Sequence, residues 1–321
     1  MFGASTKSTK NDVEHIKNDD ERMAKFTLLW HTVEAFLGEE WLPSYDTGLE
    51  IYGKTVINRF GSCDDANTSG GIGLYIGPSV FDHSCDPNAQ VVYDGRKLLL
   101  REIKDIDCDT ADGVRIAYID LLKLQKERAA ELKNKYYFDC DCSRCAAEKV
   151  TSYLTEKSPA LTRQVSSLWS ELKLAESPSW EAYMKFLEAA ERFIAANGLP
   201  ENDIAQEDAR KLATYCSVRG RMFEFAVTHL KARVQIYRKC YGQFHPVYSN
   251  LLFNLASALR QSGRDEGALK YFKEASNSVA VSHGKEHPRY QMLAEVVLRC
   301  TVEMAARNHG IPDLEKWAQS C

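Results

Sequence analysis

Three of the chain's ten cysteines fall within six residues, Cys140-Asp141-Cys142-Ser143-Arg144-Cys145. Spacings this short strain a disulfide, yet a tight loop can turn all three sulfurs onto one tetrahedral ion, and zinc is the economical reading. Three thiolates leave one coordination position open. A closed structural site draws its fourth ligand from elsewhere, and Cys85 is the candidate because it sits in Asp82-His83-Ser84-Cys85-Asp86-Pro87-Asn88, a polar turn with proline rather than an apolar stripe. Such an ion ties residue 85 to residues 140–145, and structural zinc contributes on the order of 10–16 kcal/mol to the folding of small sites. Free thiols in a reduced protein are the alternative. Cys63, Cys108, Cys216, Cys240, Cys300 and Cys321 lack ligand spacing and read as core or surface thiols.

Elements must hold these residues in place. From Asn18 to Glu40, apolar residues recur as Met23, Phe26, Leu29, Trp30, Val33, Phe36 and Leu37, which predicts one amphipathic helix with its polar face toward water. A shorter apolar segment, Leu49 to Phe60, leads into a polar, glycine-ending run from Cys63 to Gly71 that reads as a surface loop. Short β-prone pieces follow at Gly73–Ile76, Gln90–Tyr93, Lys97–Glu102 and Val114–Tyr118, with Asp94-Gly95 as a two-residue hairpin turn. After Cys145 the texture is helical to the end. There Gly242-Gln243-Phe244-His245-Pro246-Val247-Tyr248 recurs as Gly284-Lys285-Glu286-His287-Pro288-Arg289-Tyr290, and Gly220 and Ala226 match Gly263 and Ala268. A helix-pair repeat of this period, with glycine at turns and alanine where helices touch, predicts a tetratricopeptide-like stack.

The chain's 321 residues suggest about two domains. Its 41 Lys and Arg against 45 Asp and Glu leave a formal charge of −4, so no bulk basic field exists to hold nucleic acid or an anionic membrane. No run of about 20 apolar residues is present to span a bilayer. The opening residues, Met1 to Lys10, lack the apolar core of a secretory signal, which points to a reducing compartment. The expected location is cytoplasmic, with the nucleus left open.

Taken in order, Asp82 to Asn88, the strand Leu98-Leu99-Leu100-Arg101, then Ile116-Ala117-Tyr118-Ile119-Asp120, then Tyr136-Tyr137-Phe138-Asp139 before the cysteine triplet resemble the second half of a SET domain and its post-SET zinc loop. The repeat-bearing helical tail narrows the resemblance to the SET and MYND domain (SMYD) family of protein-lysine methyltransferases. The resemblance implies an α+β fold: a partial SET-type β fold with a post-SET zinc loop, followed by an all-α tetratricopeptide-like repeat domain. The implied division is a flexible segment at 1–17, a helical SET insert at 18–62, the C-terminal half of the SET core at 63–123, the zinc loop at 124–149 and the helical domain at 150–321.

The resemblance also implies roles. Tyr118 matches the catalytic tyrosine; Asn58, Ser79, Asp82, His83 and Phe138 match positions around S-adenosylmethionine; Tyr136 matches a wall of the lysine channel; and Cys85, Cys140, Cys142 and Cys145 match the zinc ligands. On the residues alone, a strand tyrosine is the favoured reading of Tyr118 and a core histidine bonded to backbone that of His83, while Tyr136 and Phe138 read as packing aromatics and Asn58 as a turn or cap residue. The implied substrate is a protein or peptide with a target lysine, such as a histone tail.

Departures from the family bear on activity. The amino-terminal strands with their Gly-x-Gly cofactor loop and the MYND zinc module have no counterpart here, Asp82 stands where the family has Asn, and Cys108 to Gly113 replaces an acidic turn before Tyr118. The function expected is that of an SMYD-like, S-adenosylmethionine-dependent protein-lysine methyltransferase acting on histone or non-histone proteins, with its catalytic competence left open by the missing amino-terminal part. Its rival is a non-catalytic, zinc-stapled adaptor that binds peptides or heat-shock chaperone tails in a repeat groove furnished by Lys231, Arg233, Arg238, Lys239, Lys270 and Lys273.

Overall fold

The computed structural model describes residues 13–63, 69–106, 113–151, 159–175, 178–196, 198 and 203–308. They form two compact units, one made of the described residues within 1–100, 104–119 and 126–145, the other of those within 101–103, 120–125 and 146–321.

The first unit opens with three helices, α1 (Val13–Lys17), α2 (Asp20–Leu37) and α3 (Tyr45–Asn58). Asp19 caps α2 by accepting the Arg22 N–H at 3.0 Å, and Ser44 caps α3 by accepting the Thr47 N–H at 3.3 Å. Ile16, Phe26 and Leu49 meet in a small core, with Trp30 lying over Gly48. Residues 13–17, which fall in the segment expected to be flexible, therefore form a helix that buries Ile16. The stripe expected to be buried along α2 is covered only in part. Phe26 is buried, whereas Phe36 is 85% exposed and Leu29 and Leu37 are also exposed, because α2 packs mainly on the short α1, on α3 and on the 3-10 turn Glu39–Trp41.

Three two-stranded sheets follow: β1 (Arg59–Cys63) with β2 (Ser69–Leu74), β3 (Asp82–His83) with β6 (Arg115–Ile116), and β4 (Ala89–Asp94) with β5 (Lys97–Glu102). Ser69, Gly70 and Gly71 thus open a strand instead of closing a loop. The β4–β5 turn is Gly95-Arg96, one residue later than expected, since Gly95 takes the left-handed φ of +57° at the first turn position while Asp94 stays in its strand. Parallel β3 and β6 pair Asp82 with Arg115 and His83 with Ile116. Asn88 knits the same segments: its Oδ1 accepts the Arg115 N–H at 2.7 Å and its Nδ2 donates to the Gly113 carbonyl at 2.8 Å. Helices α4 (Gln125–Tyr136) and α5 (Ser143–Thr151) complete this region. Arg22 donates to the carbonyls of Asn134 and Lys135, which satisfies the C-terminal end of α4.

The second unit is built from α6 (Pro159–Leu174), α7 (Trp180–Ala196), α8 (Glu207–Arg219), α9 (Phe223–Tyr241), α10 (Pro246–Gln261), α11 (Asp265–Ser282) and α12 (Pro288–Asn308). Neighbours pack in sequence, and Ala226 and Ala268 are both buried where helices approach. The repeated Gly-x-x-His-Pro has a physical meaning. Gly242 and Gly284 leave a helix with φ of +79° and +92°. His245 and His287 then cap the next one, each Nδ1 accepting an N–H, of Val247 and Arg289, at 3.1 Å. Pro246 and Pro288 occupy the first helical position, where no N–H is needed. Arg233, expected in a basic groove, is instead buried, 2.8 Å from Glu207. Among the described residues, no helix is long and apolar enough to cross a membrane.

Candidate functional site

The fold brings Cys85, from the turn after β3, against Cys140, Cys142 and Cys145 around the start of α5, with all four Sγ atoms within 4.8 Å of one another. Cys85, Cys140 and Cys145 are buried and Cys142 is partly exposed. A tetrahedral zinc site with Zn–S bonds of about 2.3 Å spaces its sulfurs by about 3.8 Å, so this set fits a four-thiolate metal with small adjustments. The surroundings favour anionic sulfur as well. The fully buried Arg128 of α4 donates from Nε to Cys85 Sγ at 3.3 Å and from Nη2 to Cys145 Sγ at 3.8 Å. Cys142 Sγ accepts the Cys145 N–H at 3.5 Å. The Cys85–Cys140 contact pushes the Cys140 thiol far down, while the same contact and burial push the Cys85 thiol up. Cys216 is a different kind of thiol, pushed up to about 12 by burial alone in the helical unit. The side chains of Cys63, Cys108 and Cys321 lie outside the described residues.

Beside the cysteines stands Tyr118, two residues beyond β6. Its N–H donates to His83 Nδ1 at 3.0 Å and its hydroxyl to the Phe81 carbonyl. Its ring centroid lies 5.0 Å from Tyr136, 5.3 Å from His83 and 6.5 Å from Phe138. Tyr136 and Phe138 can both face Tyr118 because Tyr137 between them takes φ of +60°, costing roughly 1–2 kcal/mol. Tyr137 is held in that state by stacking on His15 at 4.9 Å, by the Arg22 guanidinium 5.0 Å from its ring and by donating to Asp19 at 3.3 Å. Burial, then the nearby Asp82 charge, pushes the Tyr118 phenol well above its ordinary range; burial also raises Tyr136. Both are therefore neutral phenols at physiological pH, able to donate and accept hydrogen bonds but not to act as phenolate bases.

The other sequence-named residues sit less centrally. Asp82 is half-exposed and lies 3.9 Å from Arg115. Ser79, in the 3-10 turn Pro78–Val80, donates to the Ile76 carbonyl at 2.7 Å, two residues before Phe81. Asn58 ends α3 and donates to the Lys54 carbonyl at 2.8 Å; Arg59, next along, is near enough to lower the Tyr136 phenol slightly. His83 spends both ring nitrogens inside the protein, Nδ1 on Tyr118 and Nε2 on Cys85 Sγ at 3.3 Å. Arg128 went unnoticed in the sequence. In Gln125-Lys126-Glu127-Arg128-Ala129-Ala130-Glu131-Leu132 it looks like one more solvated charge, and the one available signal is its four-residue spacing from the buried Leu132.

Comparison with known proteins gives this arrangement a family. Residues 207–279 match the tetratricopeptide repeat family model. Over 265 residues the chain is 27% identical to histone-lysine N-methyltransferase SMYD3 of Mus musculus, covering 82% of this chain and 61% of that protein. The Homo sapiens SMYD3 is 28% identical over 267 residues, again 82% and 61%. A SET and MYND domain-containing protein of Dictyostelium discoideum is 37% identical over 95 residues, 30% of this chain and 24% of that one. Over most of its length the chain is similar to SMYD proteins. It spans about three fifths of the length of its SMYD3 relatives. In keeping with that similarity it combines a partial SET fold, in the unit that carries the cysteines and Tyr118, with a helical repeat domain. The aromatic faces of Tyr118, Tyr136 and Phe138 and the carboxylate of Asp82 suit a cationic ligand such as a sulfonium.

Proposed function

We propose that this chain is a SET-type protein-lysine N-methyltransferase that uses S-adenosylmethionine, with a zinc ion on Cys85, Cys140, Cys142 and Cys145 as its structural staple. The observation that supports it most is Tyr118, fixed at its N–H by His83 and at its hydroxyl by the Phe81 carbonyl, and flanked by Tyr136 and Phe138 beside the four sulfurs. The cofactor, when bound, supplies an electrophilic methyl group whose C–S bond breaks as the lysine nitrogen forms its N–C bond. The chain's own task is positioning, since no covalent nucleophile is needed. Tyr118, kept protonated by burial, orients the amine through hydrogen bonding rather than removing its proton, which leaves for solvent. Tyr136 lines the lysine channel and Phe138 packs on the cofactor side, their π faces favouring a cation. Asp82, Asn58, Ser79 and the backbone at His83 form the rest of the cofactor wall. The relatives' names point to histone lysine as the substrate class.

Calorimetric titration of the metal-loaded chain with S-adenosylmethionine, followed by methyl transfer to lysine-bearing histone peptides, tests this reading. Tyr118→Phe should cut transfer by about 100-fold, the scale of a lost positioning contact, while leaving the fold intact. Absence of cofactor binding at millimolar concentration, or unchanged transfer in the variant, contradicts it.

A second reading has one observation behind it. In the repeat unit Lys231, Arg264, Lys270 and Tyr271 line an open cleft of about 500 Å³, along with Asp265 and Glu266. A peptide adaptor would take an acidic segment there, such as a chaperone tail, and its affinity would fall on Lys231→Glu but not on Tyr118→Phe.

A further inference from the structure

His83 lies between two groups with different tasks. On one side its Nδ1 accepts the Tyr118 N–H at 3.0 Å, so that nitrogen carries no proton. On the other its Nε2 stands 3.3 Å from Cys85 Sγ, and in the neutral ring that nitrogen must be the N–H donor. The ring is buried, so neither bond is exchanged readily for water. The sulfur is itself held from a second direction by Arg128 Nε at 3.3 Å. The same two chain segments are also joined by Asn88, through backbone partners at Gly113 and Arg115, and by the Ser84 N–H, which donates to the Ile116 carbonyl at 3.0 Å; His83 is the link whose side chain touches both a sulfur and Tyr118.

We infer that His83 couples the four-cysteine metal centre to Tyr118: its Nε2–H fixes on the Cys85 thiolate and its Nδ1 holds the Tyr118 backbone, so metal loading positions the tyrosine. His83 is then a positioning residue whose imidazole is unavailable to any cofactor. A metal ion fixes Cys85 Sγ, the sulfur fixes the ring, and the ring fixes the peptide from which the phenol projects. Loss of the ion frees the sulfur to move, and the ring loses one of its two anchors. The functional consequence rests on the reading of Tyr118 given above; the coupling itself does not.

Two substitutions separate the two bonds. His83→Asn places an amide oxygen near the Nδ1 position and loses the sulfur bond, whereas His83→Gln places an amide N–H near the Nε2 position and loses the Tyr118 bond. The readouts are release of zinc to a chelator and hydrogen exchange of the Tyr118 amide, neither of which needs methyl transfer, so an inactive enzyme leaves the test intact. In the unaltered, full-length chain, stripping zinc should speed Tyr118 amide exchange by about tenfold, the scale of one buried hydrogen bond. His83→Asn should release zinc about tenfold faster, keep Tyr118 protected when loaded, and show less than about threefold response to stripping. His83→Gln should release zinc at the original rate with Tyr118 already exchanging about tenfold faster. Tyr118 exchange indifferent to zinc in the unaltered chain, or both variants behaving as it does, overturns the inference. Should a variant fail to fold, ¹⁵N-histidine spectra of the unaltered zinc-loaded chain decide: a proton on Nε2 of His83 supports the coupling, and a proton on Nδ1 overturns it.

Discussion

Replacing His245 with asparagine separates two properties of that residue, capping and acid sensitivity. His245 is buried, accepts the Val247 N–H at 3.1 Å and packs 4.4 Å from the Tyr241 ring. Burial, helped by the nearby His283, lowers its pKa from 6.5 to about 3. His283 is lowered to about 3 by burial, then by Arg289, His287 and Arg101, and His229 to about 4 by burial, then by Arg210 and Arg233. Each is neutral in the folded chain, while the unfolded chain takes up a proton as the pH falls through 6.5. The stability these three histidines permit is thus complete above pH 6.5 and lost progressively as the pH falls toward 3. Each contributes a loss of about 1.4 kcal/mol per pH unit, so the three together cost about 6 kcal/mol at pH 5, within the whole stability of an ordinary domain, about 5–15 kcal/mol. Glu207 works the other way, since burial raises its pKa and acid relieves its charge, but it is one group against three. In the His245→Asn variant the side-chain amide oxygen would still accept the capping N–H, and the amide could not be protonated. Urea denaturation of the metal-loaded chain, followed by circular dichroism at about 222 nm, where helix content is read, should place His245→Asn within about 1 kcal/mol of the unaltered chain at about pH 7.5. At pH 5 the difference should shift by about 2 kcal/mol in favour of the variant. An identical difference at both pH values refutes the reasoning.

Arg233→Met leaves the buried Glu207 carboxylate, 2.8 Å from the guanidinium, without its cation and should cost about 3–5 kcal/mol in urea denaturation; adding Glu207→Leu should recover most of it. If the single variant is as stable as the parent, the pair is not the buried one described. Gly48→Ala sets a Cβ 2.1 Å from the Trp30 ring, so the ring must move, at about 1–3 kcal/mol, more than the roughly 1 kcal/mol that alanine gains in helix propensity. Tryptophan fluorescence should shift together with the stability, and a stabilised variant contradicts the packing of α2 on α3.

The most legible features were those in which chemistry and spacing agree. The spacing of Cys140, Cys142 and Cys145 pointed to sulfurs that converge, Cys85 stood out for its polar turn, and the fold brings all four within 4.8 Å of one another. The helical repeat was legible through His245-Pro246 and His287-Pro288, although the capping role of the two histidines appears only in the structure. Other features depend on contacts the chain order hides. Arg128 is buried where it meets Cys85 and Cys145, contacts that a helix rich in charged residues does not advertise. His83 and Tyr118 are 35 positions apart, so their hydrogen bond appears only once β3 lies beside β6. The α2 stripe misled for the opposite reason: periodicity marks a face able to be covered, not one that is, and Phe36 stays exposed. Gly95, rather than the Asp94-Gly95 pair, sets the hairpin because the left-handed position is the first of the turn.

The account depends on one ion gathered by Cys85, Cys140, Cys142 and Cys145 next to Tyr118. Native mass spectrometry of the full chain, purified without added metal and then supplied with one equivalent of zinc, measures this most directly. One zinc per chain is expected, with occupancy lost in both Cys142→Ser and Cys85→Ser. A chain that binds no zinc, or a Cys85→Ser variant that keeps it with unchanged affinity, contradicts the account.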